Sequence, residues 1–86
     1  MLEQLRDYAH ARAGRFVIFG SFVERRMRHD SDLDILIDFP VAGIPAAWDF
    51  VEEACSRADL PPDIHDASTS TPSFVERILA KGLIVE

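Results

Sequence analysis

Two aspartates, Asp32 and Asp34, stand two positions apart at the start of the apolar stretch "DLDILIDF". If this stretch forms a β-strand, both carboxylates project from the same side of it. Like charges so close repel each other unless a cation lies between them, and hard divalent cations such as Mg²⁺ or Mn²⁺ suit oxygen ligands. The alternative is a solvated strand end without a ligand, which is the commoner origin of an isolated D-x-D pair.

A Gly-Ser pair, Gly20 and Ser21, follows the apolar stretch "RFVIF" and precedes a short predicted helix over 22–28. Glycine allows the backbone to approach a ligand closely, and Ser21 can cap the first turn of the helix, whose free amides carry partial positive charge. Such a turn can bind phosphate. Taken alone, a Gly-Ser pair is more often an ordinary capped helix after a tight turn.

A third carboxylate comes from the predicted strand "DIHDA" at 63–67. We expect Ile64 to face the helices, which places Asp63 and His65 on the same side as the D-x-D pair. Asp66 shares the side of Ile64 and is the weaker candidate, but the choice stays open. If this strand lies beside the second one, three carboxylates converge, and they could hold two cations and help to deprotonate a nucleophile. His65 could orient Asp63 or an acceptor, or it could be an exposed strand residue.

The elements that must position these residues follow from the spacing of the apolar side chains. Strands that alternate with helices predict an α/β fold. The first strand is apolar on both faces and should be central in the sheet. Because the second strand places carboxylates on one face, we expect helices to pack on the other face only. The predicted elements are helices over 2–13, 22–28, 45–57 and from 71 to 81, strands over 15–20, 33–39 and 63–67, and a short edge strand in "LIVE".

Size and composition limit the function further. The chain has 86 residues, and we expect one domain over 1–86. The net charge of -6 argues against stable nucleic-acid binding. We expect no membrane segment and no signal peptide, and hence a cytoplasmic protein. The single cysteine, Cys55, cannot form an internal disulfide and fits a packed helix position.

The spacing between the Gly-Ser pair and the D-x-D pair resembles the signature of a known family. Gly20 and Ser21, ten intervening residues and then Asp32-Leu-Asp34 resemble the GS-x10-D-x-D signature of the DNA polymerase β-like nucleotidyltransferase superfamily. The whole chain is similar to the minimal nucleotidyltransferase (MNT) branch, whose members are often encoded beside a HEPN-domain protein. The resemblance implies a single-domain polymerase β-like fold with a small mixed sheet, and transfer of a nucleoside monophosphate from a nucleoside triphosphate to a hydroxyl.

The resemblance also implies a role for particular residues. Glu24 and Arg25 depart from it, because many relatives have an Arg-Gly pair there. Arg28 lies where relatives often have a basic residue. The implied sets are Asp32, Asp34 and Asp63 as catalytic residues that bind two Mg²⁺ ions, with Mn²⁺ as an alternative, and Gly20, Ser21 and Arg28 as the nucleotide- and phosphate-binding residues.

Two functions remain open at this point. The first is a metal-dependent enzyme that moves AMP from ATP to a hydroxyl on a partner HEPN toxin, and so acts as an antitoxin. The second is a non-catalytic module that neutralises a HEPN partner by direct contact. A homo-oligomer is a further option, through apolar residues near Trp48 or in "LIVE".

Overall fold

The computed structural model describes residues 2–20 and 33–86. The elements lie within a few residues of the predicted bounds, whereas the predicted helix over 22–28 lies outside the described residues. A 3₁₀ turn at Val41–Gly43 directly precedes the helix that begins at Ile44. In chain order the helices and strands are α1 Leu2–Ala11, β1 Arg15–Phe19, β2 Leu33–Asp38, α2 Ile44–Arg57, β3 Pro62–Asp66, α3 Pro72–Lys81 and β4 Leu83–Val85.

The four strands form one sheet in the order β3-β2-β1-β4. β1 pairs antiparallel with both β2 and β4, and β2 pairs parallel with β3, so the sheet is mixed. A parallel pair needs a crossover connection, which α2 supplies between β2 and β3. The α/β class, the central position of β1 and the short edge strand in "LIVE" are thereby confirmed.

The main core lies on one face of the sheet. Alternate residues of β1 and β2 point to this face, where α1 and α2 cover them. Burying each Leu, Ile or Phe of this size stabilises the fold by roughly 1.5–3 kcal/mol. Cys55 of α2 belongs to this layer, as predicted, and burial raises the pKa of its thiol. The sheet residues of the layer are Phe16 and Ile18 of β1 and Leu33, Ile35 and Ile37 of β2.

The prediction that helices pack on one face only is wrong for α3. Val17 of β1 and Leu36 of β2 point to the opposite face, which also carries Asp34, and Ile78 of α3 covers them. Without α3, these two apolar side chains would face water, which is unfavourable. The last helix therefore covers part of the carboxylate face and leaves the rest of it open.

In the turn between α1 and β1, positive φ and close packing fall on two different residues. The predicted helix over 2–13 is followed by Gly14, a residue type that often ends helices, but Ala13 is the residue with positive φ, at 55°. Gly14 is required for space instead, because a Cβ at this position would lie 2.3 Å from Cδ2 of Phe39. Its backbone N–H donates to the carbonyl of Ala9 at 3.1 Å. The glycine thus allows the turn to pack directly on an aromatic ring of the core.

Large exposed apolar side chains in the described ranges lie in the 3₁₀ turn, at Val41, and on β4. Leu83 and Ile84 of β4 are 43% and 41% exposed, in the segment where the sequence predicted an apolar surface. Trp48 is only partly exposed and packs against the main core. None of the helices in the described ranges has the length and apolar character needed to cross a lipid bilayer.

Candidate functional site

Asp34 and Asp63 lie side by side on neighbouring strands. β2 and β3 pair in parallel with Asp34 directly opposite Asp63. The condition for the carboxylates to converge, that the third strand lies beside the second, is therefore met. The donor atoms of Asp34, Asp63 and His65 lie within 4.8 Å of one another. We refer to these three residues as the carboxylate cluster.

Asp66 has a different environment from Asp63. It pairs with Ile37, one of the residues that face the main core layer, so its strand position has the opposite parity. Its Oδ1 accepts hydrogen bonds from the backbone N–H of Ser68 at 2.8 Å and from the Ser68 hydroxyl at 2.7 Å. These bonds stabilise the turn that follows β3. Asp63, rather than Asp66, is the β3 carboxylate beside Asp34.

His65 lies beside Asp63 and contacts two aromatic rings. Its Nε2 lies 3.5 Å from Oδ2 of Asp63. The imidazole centroid lies 5.5 Å from that of Phe19 and 5.4 Å from that of Phe74. These contacts restrict rotation of the ring, although a third of the side chain (32%) is exposed. Strand parity placed His65 on this face, and the structure adds the rings that orient it.

Gly20 brings the backbone at the end of β1 against the cluster. Its φ is +79°, a conformation that glycine adopts without steric cost. A Cβ here would lie 2.2 Å from Oδ2 of Asp34. Gly20 was predicted to let the backbone approach a ligand; in the structure, the group that it approaches is the carboxylate of Asp34. The absence of a side chain at Gly20 therefore allows the backbone after β1 to lie in contact with Asp34.

Three predicted site residues lie outside the described residues: Ser21, Arg28 and Asp32. The phosphate-binding turn is thus described only at Gly20, and the D-x-D pair only at Asp34. The roles of all three stay predictions.

The donor set of the cluster fits a hard divalent cation. Two carboxylates supply oxygen ligands, which Mg²⁺ and Mn²⁺ prefer, and an imidazole nitrogen is a ligand that Mn²⁺ accepts more readily than Mg²⁺. The side chain of Asp63 is 55% exposed, so solvent and a ligand can reach it. The arrangement can bind a cation at the surface of the sheet, next to the backbone of Gly20.

Sequence reasoning missed the part of α3 that borders this site. A cavity of about 320 Å³ lies between the end of β1 and α3, with Arg77 and Lys81 of α3 at its edge. The helix had been expected on the opposite face of the sheet. The signal that could have corrected this was the presence of Val17 and Leu36 on the carboxylate face, since two apolar side chains there require a cover.

The fold and the sequence were compared with known proteins. The structure is similar to a chain in the crystal structure of a mutant of the toxin–antitoxin complex MntA–HpeT, with a TM-score of 0.74, 13% sequence identity, and coverage of 100% of this chain and 73% of that chain. At this identity the likeness shows the fold. No curated protein gives a significant sequence match. The sequence profile described as "Nucleotidyltransferase domain" matches residues 2–84. Because this match spans nearly the whole chain, the protein belongs to the nucleotidyltransferase domain family, as its spaced glycine, serine and aspartate residues had indicated.

Proposed function

We propose that this protein transfers AMP from ATP to a hydroxyl group of a HEPN-domain partner, and so acts as the antitoxin of a toxin–antitoxin pair. Membership of the family supports nucleotidyl transfer in general. The observation on which the proposal rests is the pairing of Asp34 with Asp63, together with His65, with donor atoms within 4.8 Å of one another. From these observations we infer ATP as the donor, a divalent cation and a HEPN acceptor.

The reaction makes one bond and breaks one. The acceptor oxygen attacks the α-phosphorus, a new O–P bond forms, and the bond from the α-phosphorus to the oxygen that bridges to the β-phosphate breaks. Pyrophosphate leaves with that oxygen, and the hydroxyl proton passes to a base or to solvent. Catalysis of such a step depends mainly on positioning and on compensation of negative charge.

The described residues supply the positioning. Asp34 and Asp63 would hold a divalent cation, and His65 offers a third ligand atom on the same side. A bound Mg²⁺ or Mn²⁺ ion would offset the charge of the phosphates. Gly20 brings the start of the predicted phosphate-binding turn beside Asp34. In this proposal, Asp32 adds a further carboxylate, and Ser21 and Arg28 contact the phosphates.

Two observations support a protein acceptor. Asp63 is 55% exposed on a strand at the border of the described sheet, so a macromolecule can reach the cluster. The structural relative was crystallised as a toxin–antitoxin complex, in a mutant with two aspartates, two positions apart, replaced by glutamate. That spacing is the spacing of Asp32 and Asp34. We propose the cytoplasm as the location of the protein, as predicted from the sequence.

The decisive experiment compares two aspartates of the same strand. The protein is incubated with ATP labelled on the α-phosphate, Mg²⁺ and the HEPN protein encoded by the neighbouring gene. We expect the wild type to label the partner and Asp63→Asn to reduce the rate by about 100-fold or more, the scale of losing a preorganised charged group. Asp66→Asn is the matched control, because asparagine keeps the Oδ1 acceptor of the turn and should leave labelling unchanged.

The outcomes separate enzyme from binder. Labelling by Asp63→Asn at the wild-type rate would contradict the proposed site. If wild type and Asp63→Asn both neutralise the toxin and neither labels it, the non-catalytic module is correct. Thermal unfolding of each variant controls for a loss of fold.

A further inference from the structure

A cleft adjoins the carboxylate cluster on the same face of the sheet. Phe19 pairs with Asp34 across β1 and β2, and residues directly opposite each other point to the same side. Phe74 lies across from Phe19 on α3, with ring centroids 6.2 Å apart. The cavity that both rings line measures about 320 Å³, a volume within the range of small-ligand sites. Its described lining consists of Phe19, Gly20, Phe74, Arg77, Ile78 and Lys81.

Two cations at the edge of this cleft have no anionic partner among the described residues. Arg77 and Lys81 are four positions apart on α3 and therefore project from the same side of the helix. Both are exposed, and the ion pairs recorded in the described part of the chain involve neither of them. Like charges at this spacing repel each other. In a chain with a net charge of -6, such a pair is a local site of positive potential.

Gly20 lies between the cations and the carboxylates. It lines the cleft, and its backbone also approaches Asp34, from which a Cβ would be separated by only 2.2 Å. β4 follows directly after α3 and pairs Leu83 with Ile18, which brings the end of α3 beside the end of β1. β2 and β4 flank β1, two strand spacings or about 10 Å apart. A ligand that spans this distance can contact both groups.

We infer that Arg77 and Lys81 bind the terminal phosphates of the nucleoside triphosphate, which extends from the carboxylate cluster past Gly20 into the cleft. This inference rests on the proposed function and identifies where the leaving pyrophosphate is held. Phe19 and Ile78 form the apolar part of the cleft lining, and the two exposed cations can make charge-assisted contacts to phosphate. The cleft therefore favours triphosphates over monophosphates.

Binding measurements test the inference with three ligands. Inorganic tripolyphosphate, ATP and AMP are titrated by calorimetry into the wild type, into the double variant Arg77→Gln plus Lys81→Gln, and into a control double variant. The control, Arg6→Gln on α1 plus Arg12→Gln directly after that helix, removes the same number of charges from exposed positions in a segment that lies on the opposite face of the sheet. We expect the cleft variant to lose tenfold or more in affinity for tripolyphosphate and ATP and less than twofold for AMP, because only the longer ligands reach the two charge-assisted contacts.

Three results would overturn the inference. These are an unchanged tripolyphosphate affinity in the cleft variant, an equal loss in the α1 control, and parallel losses for ATP and AMP. Failure of the proposed function has a different signature. If the wild type binds tripolyphosphate through Arg77 and Lys81 but labels no partner, the cleft stands and the transferase proposal fails. If the cleft variant labels the partner with an unchanged KM for ATP, the transferase stands and the cleft inference fails.

Discussion

Replacement of Gly20 by alanine should destabilise the fold and displace a carboxylate of the site together. At φ +79°, a residue with a Cβ pays roughly 1–2 kcal/mol that glycine does not pay. The new Cβ would also lie 2.2 Å from Oδ2 and 3.1 Å from Cγ of Asp34, so this side chain must rotate. A rotation away from a preferred rotamer costs about 0.5–1.5 kcal/mol. The two terms together give about 1.5–3.5 kcal/mol.

This loss is measurable by urea denaturation. A domain of 86 residues has a stability of about 4–13 kcal/mol, so the variant should still fold. Each kcal/mol shifts the melting temperature by about 4–8 °C in a domain of this size, which predicts a fall of roughly 6–28 °C. The labelling assay should show reduced transfer in the same variant, because the rotated carboxylate of Asp34 no longer lies beside that of Asp63.

Two controls isolate the cause. Gly43→Ala places a Cβ in open space at φ -95° and should change the stability by no more than about 0.5 kcal/mol. In an Asp34→Ala background, the cost of Gly20→Ala should fall to the backbone term of about 1–2 kcal/mol. The reasoning is refuted if Gly20→Ala unfolds with the wild-type free energy. An unchanged cost in the Asp34→Ala background would show that the carboxylate contact contributes nothing.

Further predictions concern a ligand atom and a thiol. His65→Ala should weaken Mn²⁺ binding by about tenfold or more while Mg²⁺ binding changes less, because the imidazole nitrogen suits Mn²⁺ better. Calorimetry with each ion checks this: an unchanged Mn²⁺ affinity would exclude His65 as a ligand, and equal losses for both ions would contradict the preference for Mn²⁺. Burial raises the pKa of the Cys55 thiol, so its thiolate fraction near neutral pH lies below that of an unburied cysteine. Alkylation by iodoacetamide should thus be much slower in the native protein than in urea and should accelerate as the pH rises, and equal rates in both states would contradict the buried position.

The side of the sheet on which Asp63 lies was predictable because it depends only on alternation along a strand. With Ile64 directed at the helices, its two neighbours had to face the other way, and the structure places Asp63 opposite Asp34. The choice against Asp66 needed coordinates. Its carboxylate accepts two hydrogen bonds from Ser68, and the sequence alone does not distinguish this turn from a free aspartate.

The position of α3 was not predictable from its own pattern. An amphipathic helix shows that one side is buried but does not identify the sheet face that it covers. The residues that decide this are Val17 and Leu36, which belong to other strands and whose shared face depends on the register of β1 and β2. The cations of α3 were missed for the same reason. These cations lie near the site only because of the sheet face on which α3 packs, and the spacing of the sequence motifs does not indicate that face.

The location of Asp63 on β3 ties the integrity of the site to the local stability of one short strand. β3 has five residues, pairs only with β2 among the described strands, and buries none of its side chains fully. Strands of this kind open with a lower free energy than the centre of a sheet. Fluctuations that detach β3 would separate Asp63 from Asp34 while the main core stays intact. A ligand that bridges the two aspartates would therefore slow amide hydrogen exchange in β3 before it changed exchange in β1.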